Sequence, residues 1–188
     1  MRSYPLASLI SVDEGRLPFV SHLPLHLEER GDQWVLLGHC AKANPHWQYL
    51  SARPQAVVTF MGPQAYMSPQ VYPDLVRVPT WNYLAVHCTV QATLIENAQA
   101  KHHVLMTLVG DHEPAYADQW NALAPDYQKK MLSAIVAFEL QVTDLQCKIK
   151  LNQHRPESHA RLLEVYAAGN AEERALADWM KILGLSSL

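Results

Sequence analysis

Three stretches of this chain carry polar side chains at a density that packing alone does not require. Gly38-His39-Cys40-Ala41-Lys42-Ala43-Asn44-Pro45 offers an imidazole, an ammonium and an amide. Ser68-Pro69 through Tyr83 contains the thirteen residues Val71–Tyr83, which hold two prolines, three aromatics, an Asn and a Thr with no glycine. Prolines fix the backbone and remove donors, so this segment reads as a stiff loop that presents flat rings and polar tips in set positions. Lys148 to Arg155 puts Lys150, Asn152 and His154 at alternate positions, a row of cation, amide and imidazole on one side of a strand. Such a row suits a phosphate or the polar edge of a ring. An edge strand kept soluble by its charges would have the same composition.

Other chemistry finds less support. The seven glycines are scattered, and none forms a Gly-x-Gly-x-x-Gly, Walker or Gly-x-Ser-x-Gly pattern. Cys40, Cys88 and Cys147 are odd in number and far apart, with no Cys-x-x-Cys; a reducing cytoplasm suits them better than a disulfide framework. Ten histidines invite a metal or haem, but His102-His103 on a helix point in different directions and chelate poorly, and His22 and His26 share at most a strand face. Fifteen Lys+Arg against 18 Asp+Glu leave a formal charge of -3, without the basic excess expected of a nucleic-acid binder. No run is long enough to span a bilayer, and the start resembles no signal peptide, so the expected location is cytoplasmic.

The elements that must position these stretches are mostly strands. Leu6–Val12 and Leu17–Leu27 read as a hairpin about Asp13-Glu14-Gly15, with Pro18 and Pro24 confining the second strand to an edge or a bulge. Trp34–Leu37 is a short strand, and Asn44-Pro45 marks a short helix, with Asn as cap and Pro at the first position and with Trp47 and Leu50 facing inward. Ala56–Met61 is a strand that Gly62-Pro63 turns. Trp81–Ile95 is a long central strand, Asn97–Val109 a crossover helix stopped by Gly110, and short helical pieces surround Trp120 and Tyr127. Ala134–Leu145 and Lys148–Gln153 read as two further strands. Pro156–Ala168 and Asn170–Leu183 form a helical hairpin about Gly169, with an Asn170/Glu173 capping box and an apolar stripe of Leu176, Trp179, Met180 and Leu183. Its acidic Glu172, Glu173 and Asp178 make it a packing brace or dimer brace rather than a DNA-reading helix. The expected organisation is one domain, 1–155 forming a closed or half-open barrel and 156–188 its helical extension.

At the same polar stretches the chain resembles the PaiB-type family of FMN-binding negative transcriptional regulators. The resemblance rests on His22-Leu23-Pro24-Leu25, on Gly38 to Trp47, on Phe60-Met61-Gly62-Pro63-Gln64-Ala65-Tyr66-Met67-Ser68-Pro69, on Val78-Pro79-Thr80-Trp81-Asn82-Tyr83 and on Lys150-Leu151-Asn152-Gln153-His154-Arg155. It implies a mainly β fold with helices, the FMN-binding split β-barrel with a crossover helix and a C-terminal helical hairpin, as a homodimer with FMN at the subunit interface. Two features depart from the family: its usual Met-Tyr-x-Pro-x-x-Phe opening is missing here, and Asn152 and His154 stand in a closing motif that usually reads Lys-Leu-Ser-Gln-Asn.

Carried onto this chain, the resemblance assigns Lys42, Lys150 and Arg155 to the phosphate. It gives His39, Asn44, Ser68, Asn82 and Gln153 to hydrogen bonds, with Thr80 and Asn152 beside them, and Tyr66, Tyr72, Trp81 and Tyr83 to the walls of the flavin ring. With no acid, base or nucleophile set in view, it implies a regulatory flavin protein that is not itself an enzyme and makes no tight contact with DNA. An FMN-dependent oxidoreductase of the pyridoxamine-phosphate-oxidase-like class is the alternative, and a haem-binding protein the second.

Overall fold

The computed structural model describes residues 1–74 and 76–185. Leu75 in the stiff loop and the last three residues of the helical extension lie outside the described residues. In chain order the elements are β1 (Leu6–Val12), β2 (Pro18–Pro24), β3 (His26–Arg30), β4 (Gln33–Ala41), α1 (His46–Ala52), β5 (Gln55–Met67), β6 (Thr80–Ile95), α2 (Ala98–Gly110), α3 (Tyr116–Ala122), α4 (Pro125–Ser133), β7 (Ile135–Lys150), α5 (His159–Ala167) and α6 (Ala171–Ile182). The strands hydrogen-bond in the order β2-β1-β5-β6-β7-β4-β3. The proline-bounded β2 is an edge strand, as its missing donors require.

Two compact units divide the chain, Met1–Phe60 with His87–Gln146, and Met61–Val86 with the chain from Cys147 onward. In the first, β1 pairs antiparallel with β2 from Leu6↔Pro24 to Val12↔Pro18, and with β5 from Ser8↔Thr59 to Ile10↔Val57. Along β1 the alternation is complete: Ala7, Leu9 and Ser11 are buried while Leu6 and Val12 are exposed. Helix α2 is capped by Asn97, whose side chain accepts the Ala100 N–H at 3.0 Å. Its Val104 and Leu108 pack on Val35, Leu37 and Ala137.

Helix α1 starts one residue later than Asn44-Pro45 suggested, with Pro45 as the cap residue. Asn44 still serves the start, because its Oδ1 accepts the His46 N–H at 3.0 Å in an Asx-type turn. Leu50 faces inward with His46, whereas Trp47 lies partly exposed and donates its indole N–H to the Lys42 carbonyl at 3.0 Å.

In the second unit, Ala65, Met67 and Val71 pack with Leu151 and with Leu162, Tyr166, Leu176, Ala177 and Met180 of the helical hairpin. The capping box forms as expected: Asn170 accepts the Glu173 N–H while the Glu173 carboxylate accepts the Asn170 N–H. Leu183, expected on the apolar stripe, is 40% exposed, and Ala177 takes its place.

Two further sequence expectations are corrected. Gly62-Pro63 does not turn the chain: β5 continues to Met67, and its buried residues shift from Ala56, Val58 and Phe60 to Pro63, Ala65 and Met67. A one-residue slip at glycine reverses the inward side without breaking the strand. At Gly62 a Cβ would stand 3.2 Å from the Leu84 carbonyl oxygen, so the close approach itself favours glycine. The two strands expected over 134–153 are one, ending at Lys150. Asn152 then takes φ +60° and bends the chain away, so Lys150, Asn152 and His154 do not form a row along a strand.

His46 is fully buried with its Nδ1 2.8 Å from the Ser21 Oγ, and burial pushes its pKa down from 6.5 to about 4. A depressed histidine pKa means the unfolded chain binds the proton more readily, so this residue's contribution to stability is present above pH 6.5 and is lost as pH falls toward 4. Urea denaturation midpoints are expected to drop across that window, and to drop less steeply in His46→Gln. Equal slopes in the two proteins would remove His46 as the cause.

Candidate functional site

The second unit holds a pocket of about 280 Å³ lined by Tyr72, Arg77, Val78, Thr80, Asn82, Lys150, Asn152, Gln153, His154 and Arg155. The stiff loop and the first residues of β6 supply one side. The end of β7 and the turn after it supply the other. Lys150 Nζ donates to Thr80 Oγ1 at 2.6 Å, placing ammonium and hydroxyl together at the pocket.

Asn82 is fully buried. Its Nδ2 donates to the Tyr166 hydroxyl at 3.1 Å and lies 3.5 Å from Met67 Sδ, while its Oδ1 has no partner among the described residues. A buried amide oxygen without a partner is costly. Tyr166 fixes the amide from behind: its hydroxyl also donates to the Tyr66 carbonyl at 3.4 Å, and burial pushes its pKa up to about 12, keeping the phenol protonated.

Arg77 was not singled out from the sequence, yet its guanidinium lines the pocket. It lies over the Tyr72 ring at 5.2 Å and pairs with Asp74 at 3.0 Å, and its buried Nε has no partner among the described residues. The available signal was the acid three residues before the loop's one cation. Tyr72 donates its hydroxyl to Asn152 Oδ1 at 3.1 Å, and Asn152 Nδ2 donates to Ser158 Oγ at 2.7 Å, so these two build the wall rather than offer free polar atoms. Gln153 likewise spends its amide locally, accepting from the Leu151 N–H at 2.9 Å and donating to the Ile149 carbonyl at 2.7 Å.

The other expected residues are not among those lining this pocket. Ser68 caps a 3-10 turn over Pro69–Val71 by accepting the Gln70 N–H, and borders a smaller cavity of about 180 Å³ with Tyr66 and Tyr166. Trp81 is 53% exposed and meets Tyr66 edge-on at 6.2 Å, outside the pocket, and Tyr83 does not line it. His39, Lys42 and Asn44 belong to the first unit. There Asn44 donates to Ser21 Oγ at 3.0 Å, and the desolvated His39 imidazole has its pKa lowered.

Residues 1–144 match a family described as "Putative FMN-binding domain". The chain is also 32% identical over 154 residues to the protease synthase and sporulation protein PAI 2 of Bacillus subtilis (strain 168), covering 80% of this chain and 72% of that one. The chain belongs to the PaiB-type FMN-binding family. In this family FMN is the cofactor that membership points to. The Lys150–Arg155 turn lies beyond the matched residues, whereas Tyr72 to Asn82 lie within them. Among solved structures, the FAD and heme binding protein of Mycobacterium smegmatis is similar with a TM-score of 0.60 at 18% identity, covering 79% of this chain and 67% of that one. The flavocytochrome Anf3 of Azotobacter vinelandii is similar with a TM-score of 0.59 at 20% identity, covering 79% of this chain and 63% of that one. At these identities the likeness speaks for the fold, which is the split-barrel class expected for this PaiB-type chain.

Tyr166→Phe is expected to leave Asn82 Nδ2 with only Met67 Sδ among the described residues, lowering stability by about 1–2 kcal/mol. Chemical denaturation checks this, and an unchanged midpoint would show that the hydroxyl does not hold the amide.

Proposed function

We propose that this protein binds FMN by its phosphate in the Tyr72–Arg155 pocket and acts as a regulatory flavin protein rather than a catalyst. The observation that carries the reading is the convergence of Arg77, Lys150 and Arg155 on one pocket with Thr80. The residues fit the group. Cations suit a phosphate where no glycine loop exists, and Thr80 adds a hydroxyl. FMN would supply redox chemistry when bound, and the chain's own residues supply grip and orientation. The regulatory reading draws support from the relation to a sporulation protein. The net charge of -3 and the acidic α6 argue against tight DNA contact.

A homodimer is part of the reading. Ile10 stands beside Val20 on one neighbouring strand and Val57 on the other, with Leu6 and Val12 on the same face. These four flanking residues are 38% to 65% exposed, an apolar strip of the kind a second copy covers. We also place the protein in the cytoplasm: its three cysteines are free, and no helix among the described residues is long and apolar enough to cross a membrane.

Absorbance and fluorescence titration of the purified protein is expected to show FMN binding. Lys150→Met should weaken FMN by roughly ten- to a hundredfold, the range for losing a charged hydrogen bond, and leave riboflavin unchanged. No flavin binding by the wild type would sink the reading. Rapid bleaching by NADH or NADPH would replace it with an oxidoreductase, and a Soret band on haem addition with a haem protein.

Sedimentation analysis is expected to give a dimer that Val57→Lys converts to monomer. A wild-type monomer would reject the dimer.

A further inference from the structure

One carboxylate beside the pocket is not explained by flavin binding. Glu157 Oε1 stands 3.9 Å from a guanidinium nitrogen of Arg77 and 3.9 Å from one of Arg155. Charge-assisted hydrogen bonds close to about 2.7–2.9 Å, so Glu157 attracts both arginines without consuming their donors. Asp74 behaves differently, holding Arg77 Nη2 at 3.0 Å as a fixed anchor.

The backbone that carries Glu157 is held in place while its side chain is not. Pro156 precedes it. Ser158 after it donates its N–H to the Arg155 carbonyl at 3.1 Å and its hydroxyl to the same carbonyl at 2.9 Å. The Glu157 side chain is 37% exposed and can turn to water without moving the chain. Arg155, 43% exposed, makes no other side-chain ion pair or hydrogen bond among the described residues.

The charges make this arrangement meaningful. Arg77, Lys150 and Arg155 face Asp74 and Glu157, leaving one positive charge near the pocket; with Glu157 turned to water, two remain. A phosphate monoester carries close to two negative charges at neutral pH. We propose that Glu157 is an internal counter-ion, displaced by the ligand's phosphate, that sets the site's selectivity for doubly charged phosphate monoesters. In its absence the arginines repel one another and take any anion. In its presence only a ligand with enough charge to displace it is held well. The proposal rests on the phosphate-in-pocket reading above.

The full chain titrated with FMN, with riboflavin and with inorganic phosphate as competitor tests this in wild type, Glu157→Gln and Glu157→Asp. Glu157→Gln is expected to bind FMN roughly three- to fivefold tighter, the scale of a partly exposed ion pair, and to be inhibited by lower phosphate. Riboflavin affinity should not change, and Glu157→Asp, which keeps the charge, should follow the wild type. FMN affinity unchanged or weakened in Glu157→Gln, with its thermal melting intact, would overturn the counter-ion role and leave the phosphate reading standing. Should Glu157→Gln melt early, a Glu157→Asp protein that binds FMN several-fold tighter than wild type would also overturn it. Equal wild-type affinity for FMN and riboflavin would overturn the phosphate reading and Glu157's role with it.

Discussion

The second unit depends on the left-handed turn at Asn152. A β-strand that simply continued past Lys150 would carry Arg155 some 16 Å along the chain, at roughly 3.3 Å per residue. Instead Asn152 takes φ +60°, a conformation Asn tolerates better than most residues, and is nearly buried while doing so. Its Oδ1 accepts from Tyr72, its Nδ2 donates to Ser158, and its carbonyl accepts the Arg155 N–H at 3.0 Å and faces His159 Nε2 at 3.0 Å. One residue thus joins the stiff loop, the end of β7 and the entry to α5, and brings Lys150 and Arg155 to the same pocket. A serine at this position would lack both the second amide atom and much of the left-handed tolerance.

This geometry decides how the cations are tolerated. Arg77 and Arg155 at one pocket would repel each other if left alone. The fold answers with Asp74 three residues before Arg77, a Tyr72 ring beneath it, and Glu157 equidistant from both guanidiniums. The anchoring is unequal. Arg77 is fixed by two neighbours of its own loop, whereas among the described residues Arg155 is restrained only by the long contact, so of the two arginines one is preset and one can still adapt. Preset donors lose little freedom on binding, and adaptable ones trade affinity for breadth.

Much of this could be read from the sequence, for identifiable reasons. Asn97 as a cap, the Asn170/Glu173 box and the proline-bounded edge strand are local rules, and the structure obeys them. The Val71–Tyr83 composition pointed to a stiff loop that presents side chains, and Tyr72, Arg77, Val78, Thr80 and Asn82 of it line the pocket. Gly62-Pro63 and the 134–153 stretch misled, since a glycine that permits a turn equally permits close packing, here against the Leu84 carbonyl, and only the tertiary neighbour decides. Composition did not show which amides are held by the chain itself: Gln153 bonds within its own turn, Asn44 reaches the His46 N–H and Ser21, and Asn152 joins Tyr72 to Ser158. Arg77 was passed over because its value lies in what it stacks on, a contact that spacing does not encode.

At about 280 Å³ the pocket sits just below the roughly 300–1,000 Å³ usual for small-molecule sites. Its lining includes three cations, Arg77, Lys150 and Arg155, while the exposed aromatics Tyr66 and Trp81 lie outside it. On the proposed reading, a site built this way grips the polar end of the cofactor and leaves the ring to other surfaces. Affinity then depends on charge and its screening, whereas the redox potential depends on whatever contacts the ring. Under the proposed function, separating grip from ring contact in this way suits sensing of a phosphorylated flavin better than hydride transfer, where small misplacements of the ring are costly.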